Sequence, residues 1–320
     1  MRYAALIIIL LLASGCIRTP SYSSVRESVP SKINQTPFPD LSDSLQVGND
    51  SSSPELLLQD LVAIDNSTSD LIPDLSEPLA QPPPLKVPAP NSSFQWQLDG
   101  ALDQSVNASV FDIDLFGSSP ETVSALHAKN AYVICYISAG TWEDFREDAW
   151  DFPSYVKGKS VQGWKGEKWL DIRKIDVLGP IMRKRMDQAR SKGCDGVEPD
   201  NIDSYGEDTG FQLDFYDQLR YNLWLTQEAH KRNLSIGLKN DADQIRELVG
   251  YYDWALAEDC YSEGWCDRLK PFSKAGKAVF MAEYVDTGAD FRIFCPYAKD
   301  NGFSAILKDR GLGAWIMQCQ

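Results

Sequence analysis

From Ser109 onward the chain alternates, segment by segment, between short apolar strand-like stretches and longer helix-like ones, and this order limits the possible folds more than any other feature. The strand-like stretches are "SVFDIDLF", "AYVICYIS", "WLDI", "DGVEPD", "LSIGLKN", "DWALAE", "KAVFMAEY" and "FSAILKD". Between them lie helix-like segments such as "PETVSALHAKN", "VLGPIMRKRMDQARSKG" and "DFYDQLRYNLWLTQEAHKRN", several ending in Gly or Asn as a helix C-cap does. Strands separated by helices pair in parallel, which defines an α/β fold. Eight of them in about 230 residues predict a (β/α)₈ TIM barrel over residues 94–320. A doubly wound open sheet would carry a glycine-rich phosphate turn after its first strand, and none is present.

Ahead of the barrel the texture differs. Residues 1–16 run from Met1-Arg2-Tyr3 through "AALIIILLLAS" to Gly15-Cys16, the layout of a signal peptide and too short for a comfortable membrane span. The ending "LASGC" resembles a lipoprotein lipobox, with Cys16 as the lipidated first mature residue and Ala13 where Leu is commoner. The other reading is an ordinary secretory signal. Either predicts export, as a lipoprotein anchored through Cys16 on the extracytoplasmic side of a membrane or as a secreted protein. Residues 17–93 are rich in Ser, Pro, Asp and Asn, with stretches such as "QPPPLKVPAP", and read as a disordered tether.

Export makes disulfides admissible. Cys260 and Cys266 flank a short loop and Cys295 and Cys319 lie near the C-terminus, so these two pairs are expected. Cys135 and Cys194 can pair or stay reduced. Two histidines and no CxxC argue against a zinc site, and no metal or cofactor is expected. A net charge of −15 excludes a nucleic-acid binder, which needs a basic surface, and is compatible with a cationic ligand.

In such a barrel the active site lies at the C-terminal ends of the strands. Asp112, Asp114, Tyr136, Ser138, Glu198, Asp200, Lys239, Asp241, Glu258, Glu283, Tyr284 and Lys308 all fall there. Buried carboxylates in that number must pair with Lys239, Lys308 or Arg310, hold protons, or face a ligand. Carboxylates with aromatic residues, and no histidine or thiol nucleophile among them, suit glycoside hydrolysis, in which one carboxyl protonates the leaving oxygen and another attacks the sugar or activates water. Trp142, Trp164, Trp169, Tyr205, Tyr261 and Trp265 are candidates for stacking on sugar rings, or for the core.

The phrases "WQLDG", "VFDIDLFG", "VICYISAGTWEDFR", "KWLDIR", "KGCDGVEPDNIDSY", "GLKND", "ALAEDC" and "KAVFMAEY" occur together and in order. In them the chain resembles glycoside hydrolase family 114, the endo-α-1,4-polygalactosaminidases, from Trp96 to Cys319. The resemblance implies a (β/α)₈ barrel that cleaves internal α-1,4 bonds of galactosamine-containing exopolymers by a retaining mechanism. It implies Asp200 of "EPDN" as nucleophile and Glu258 of "AEDC" as acid/base, with Asp112, Asp114, Tyr136, Glu198, Asn201, Tyr205, Lys239, Glu283 and Tyr284 around the substrate. Asp259 stands where the family has Gln, a charge expected to raise the pKa of the neighbouring acid. The partner implied is a cationic galactosamine polysaccharide, acted on by a monomer. The alternative is a barrel that binds such a polymer without cleaving it.

Overall fold

The computed structural model describes residues 84–319; the signal peptide, Cys16 and residues 17–83 of the expected tether lie outside them. Eight parallel strands form the barrel: β1 (Phe94–Gln97), β2 (Val110–Asp114), β3 (Tyr132–Ser138), β7 (Gly196–Asp200), β8 (Ser235–Lys239), β9 (Trp254–Glu258), β10 (Val279–Tyr284) and β11 (Ser304–Lys308). Outside it pack α1 (Pro120–His127), α2 (Ile175–Lys192), α3 (Phe215–Lys231), α4 (Ile245–Leu248), α5 (Lys270–Lys274) and α6 (Phe291–Asp300). No described helix is long and apolar enough to cross a membrane.

Two strand assignments from the sequence change. The stretch "WLDI" is not a barrel strand: its first residues end β6 (Glu167–Leu170), which pairs antiparallel with β4 (Thr141–Glu143) and β5 (Lys157–Ser160) in a small sheet inserted after β3. The missing barrel strand is β1, "FQWQ", with Trp96 beside Asp112 in register. No helix follows β1. Its outward glutamines bond to loop carbonyls instead, Gln95 Nε2 to Ala314 O at 3.1 Å and Gln97 Nε2 to Asp99 O at 3.0 Å.

Side chains two apart on a strand face one side. Phe94 and Trp96, Trp254 and Leu256, and Phe280 and Ala282 fill the barrel, while Phe111, Ile113, Val133, Val197, Ile236 and Met281 face the helices. A Cβ at Gly237 would stand 2.3 Å from the Trp254 ring, so the indole occupies the barrel only because that inward position carries hydrogen. Helix α2 stops at Gly193, whose φ of 93° an L side chain would resist, and its N–H caps Ala189 O before the chain turns into β7.

The seam between β11 and β1 is closed by the chain's last described residues. The carbonyl of Leu312 accepts N–H groups of Leu98 and Asp99, β12 (Met317–Gln318) pairs with β11, and Gln318 Nε2 reaches Phe94 O. Lys308, fully buried, donates across the seam to Gln95 Oε1 and Gly313 O, and burial lowers its pKa to about 8. The disulfide Cys295–Cys319 fastens this segment to α6; Cys260–Cys266 is the second expected bridge, and Cys135–Cys194 is also formed, joining β3 to the start of β7.

Candidate active site

At the C-terminal mouth of the barrel lies a cavity of about 740 Å³. Its floor is organised by Lys239 at the end of β8. The Lys239 ammonium lies 2.7 Å from Asp200 Oδ1, 2.9 Å from Glu258 Oε2 and 3.3 Å from Glu198 Oε1, and 4.8 Å above the Trp96 ring. Burial alone would discharge this amine, but the charges of Asp200, Glu258 and Glu198 outweigh it and hold its pKa well above the ordinary lysine value. The two cavity-facing acids are therefore tied to one cation. Laid end to end, the 2.7 and 2.9 Å contacts keep the two bonded oxygens within about 5.6 Å of each other.

Each of those acids has its own tyrosine. Tyr136 donates to Asp200 Oδ2 at 3.1 Å, and Tyr284 donates to Glu258 Oε1. The Arg310 guanidinium lies 4.0 Å over the Tyr284 ring and reaches Asp259 at 2.6 Å. The extra charge of Asp259 beside Glu258 is thus matched by an arginine.

Asp112 and Glu198 sit one layer deeper and do not reach the cavity. Trp96 Nε1 donates to Glu198 Oε2 at 3.1 Å, whereas Asp112 Oδ1 and Glu198 Oε1 have no other hydrogen-bond donor. Burial, then the charge of Glu198, push Asp112 well above the carboxylate range, so it keeps its proton and donates it to Glu198. Glu198, pushed up by burial and pulled back by Lys239, comes to about 7.

Glu283 also lies outside the cavity. Adjacent strand residues face opposite sides, so with Tyr284 turned inward Glu283 turns outward. There it accepts the N–H groups of Tyr261 and Ser262 at 2.7 and 3.1 Å and holds the loop after β9. Cys260 and Cys266, near this carboxylate, are joined to each other and do not form a metal site with it.

Of the remaining expected residues, Asp114, Tyr136, Asn201, Lys239 and Tyr284 line the cavity and Tyr205 does not. Tyr205 hydroxyl bonds to Asp241 Oδ1 at 3.3 Å, and burial together with Asp203 pushes Asp241 to about 8. Asn201 has a φ of 62° and packs where a Cβ at Gly140 would strike its carbonyl, so the β3–β4 turn closes on the end of β7. Trp164 and Trp265 line the cavity; Trp142 and Trp169 pack in the inserted sheet, and Tyr261 packs against Tyr297.

Sequence reasoning missed the wall built by the β3–α2 insertion. Arg146 bonds Asp114 at 2.6 Å and Glu143 at 2.8 Å, and Glu167 faces Glu143 across the β4–β6 pair. Within the insertion, Glu143 and Glu167 lie on strands of three and four residues and Arg146 in the loop after β4, too short for periodicity to mark a facing direction. Buried Arg185 anchors the insertion, gripping Asp148 at 2.7 and 2.8 Å and the Ser138 carbonyl at 2.6 Å.

A parallel barrel that presents two acids from separate strands at its C-terminal mouth, within reach of one bound sugar and free of competing nucleophiles, is built for glycosidic bond chemistry, and the protein is a glycoside hydrolase. Residues 76–320 match the model of glycoside-hydrolase family GH114, and the chain belongs to that family. It is similar to Ega3 of Aspergillus fumigatus, whose crystal structure is a complex with galactosamine, at 36% identity over 72% of this chain and 96% of that one, with a TM-score of 0.68. The glycoside hydrolase domain of PelA from Pseudomonas aeruginosa shares the fold at 14% identity and a TM-score of 0.56, over 72% of this chain and 98% of that one. No curated protein matches the chain.

Proposed function

We infer that the protein is an exported endo-α-1,4-galactosaminidase that works with retention, Asp200 attacking the anomeric carbon and Glu258 acting as acid and then base. The observation that carries this is the Lys239 bridge. Retaining glycosidases hold their carboxyls about 5–5.5 Å apart and inverting ones about 6.5–9.5 Å, and the limit of about 5.6 Å on the nearest bonded oxygens supports the shorter class.

In the first step Asp200 forms a bond to the anomeric carbon while the glycosidic oxygen leaves with the proton of Glu258. Esterification removes the charge of Asp200, so Lys239 turns to Glu258 and favours its carboxylate form when a base is needed. Water then gives a proton to Glu258 and its hydroxyl to the anomeric carbon, and Asp200 is freed. Export is supported by the leader in the sequence and by the pairing of all six cysteines among the described residues, as an oxidising compartment favours.

The substrate class is supported by the likeness to Ega3, crystallised with galactosamine, and by the acids on the cavity wall, which suit polymer ammonium groups. The test is digestion of soluble polygalactosamine by wild type, Asp200→Ala and Glu258→Ala, with the first product's anomeric configuration followed by NMR. The expected result is oligosaccharide release by wild type alone, with the α anomer first. The β anomer first would sink retention, and no release by wild type would sink the hydrolase reading.

A further inference from the structure

The inserted sheet does more than wall the cavity. Its β5–β6 turn brings Trp164 and Glu167 together, closed by Glu167 N–H to Trp164 O at 3.4 Å, and both residues line the cavity. Trp164 is 54% exposed and, unlike the more exposed Trp150, lines the cavity, so its indole face is open to a ligand there. Glu167, at the start of β6, adds an acid without a cation. Asp114 and Glu143 are matched by Arg146, Asp200 and Glu258 by Lys239, and Asp259 by Arg310, while Asp99, Asp203, Asp241 and Glu263, like Glu167, line the cavity without a Lys or Arg partner among the described residues. Glu167 has only the Thr141 hydroxyl, at 3.2 Å, and no Lys or Arg pairs with it among the described residues.

The charged groups around Glu167 are Glu143 from β4, Asp200 from β7 and Arg146 from the loop after β4. Burial first, then the charge of Glu143, raise its pKa to about 7. Its carboxylate form therefore lacks a cation that a ligand can supply. A pyranose ring has an apolar C–H face that suits an exposed indole, and a 2-amino-2-deoxy sugar adds an ammonium at the ring's edge.

The geometry points to a subsite beside the β5–β6 turn for one 2-amino-2-deoxyhexose ring, with Trp164 packing on its apolar face and Glu167 pairing with its free amine. This rests on the hydrolase reading for its setting and adds a basis for telling de-acetylated polymer from acetylated. An N-acetylated ring offers the indole the same face and gives Glu167 no cation.

Binding, read without turnover, tests it. Calorimetry on the full chain carrying Asp200→Ala, which stops turnover, compares oligomers of galactosamine and of N-acetylgalactosamine with the subsite left wild type or changed by Glu167→Gln or Trp164→Phe, with Trp164→Ala as the stronger truncation. Glu167→Gln is expected to weaken the free-amine oligomer about tenfold and leave the acetylated one unchanged, as loss of one charge-assisted bond does. Trp164→Ala is expected to weaken both, and Trp164→Phe to recover most of that loss. Affinity of the wild-type subsite for the free-amine oligomer should rise as pH climbs through about 7 and Glu167 ionises, and Glu167→Gln should lack that rise.

Equal weakening of both oligomers by Glu167→Gln, or no weakening of either, would overturn the assignment. So would failure of the wild-type subsite to bind either oligomer. Binding with this pattern but no cleavage by wild type would uphold the subsite and sink only the hydrolase reading.

Discussion

The two tyrosines offer a way to identify the two acids separately. Tyr136 donates only to Asp200 and Tyr284 only to Glu258 within the acid pair, and both phenols are buried. A hydrogen bond to a charged group is worth about 1.5–3 kcal/mol, and one pKa unit corresponds to about 1.36 kcal/mol. Removing one phenol should therefore disfavour the charged form of its acid by about 1.5 kcal/mol, the lower figure because both carboxylates are about a quarter exposed. The nucleophile must be ionised and the acid protonated, so the two limbs of a pH profile of kcat/KM report different residues. Tyr284→Phe should move the alkaline limb up by about 1 unit and widen the profile. Tyr136→Phe should move the acidic limb up by about the same amount and narrow it. The assay is reducing-end release from polygalactosamine across pH, with circular dichroism to confirm folding. If each variant moves the opposite limb, the roles of Asp200 and Glu258 are exchanged; if Tyr284→Phe moves the alkaline limb down, the electrostatic reasoning is wrong.

Asp112→Asn should keep fold and activity because an amide N–H can replace the donated proton, whereas Asp112→Ala leaves Glu198 with only Trp96 and Lys239 as partners and should cost about 1–3 kcal/mol by urea denaturation; equal losses would refute the shared proton. Asp241, at about 8 in the fold against an ordinary 3.8, gives a stability contribution that is full below the lower value and lost as pH rises through the higher. Calorimetric melting should thus show Asp241→Asn gaining on wild type from pH 5 to 8, and a constant difference would refute it. Arg185→Met leaves buried Asp148 uncompensated and should cost about 3–5 kcal/mol, with much of it recovered in the double variant Arg185→Met/Asp148→Leu; additive losses in the double-mutant cycle would contradict a paired role.

The acids could be placed from sequence because strand ends in a parallel barrel all point to one mouth. Asp200 and Glu258 close strands whose apolar runs are unmistakable, and Lys239 closes the strand between them. Depth was harder to read. Asp112 and Asp114 share a face, yet one step along the strand separates a buried carboxyl from a cavity wall. The exclusion of Glu283 was available from strand alternation alone once Tyr284 is turned inward. "WLDI" was correctly strand-like, but strand propensity says nothing about the partner, and β6 pairs locally with β4 and β5. "FQWQ" is short, with no helix after it, so the alternation that marks the other strands is broken at its start. Glu167 opens the short strand β6 and Arg146 lies in the loop after β4, where only the folded insertion gives them a direction.

The seam has a consequence for how the domain is made. β1 finds β2 soon after both are synthesised, but its other edge is met by Lys308, Leu312, Ala314 and Gln318. A chain emerging from its N-terminus must keep an open sheet edge until residues 312–318 are available. A stall or a clip short of Leu312 therefore leaves an adhesive edge on an otherwise assembled barrel, and closure of Cys295–Cys319 marks the moment when that hazard ends.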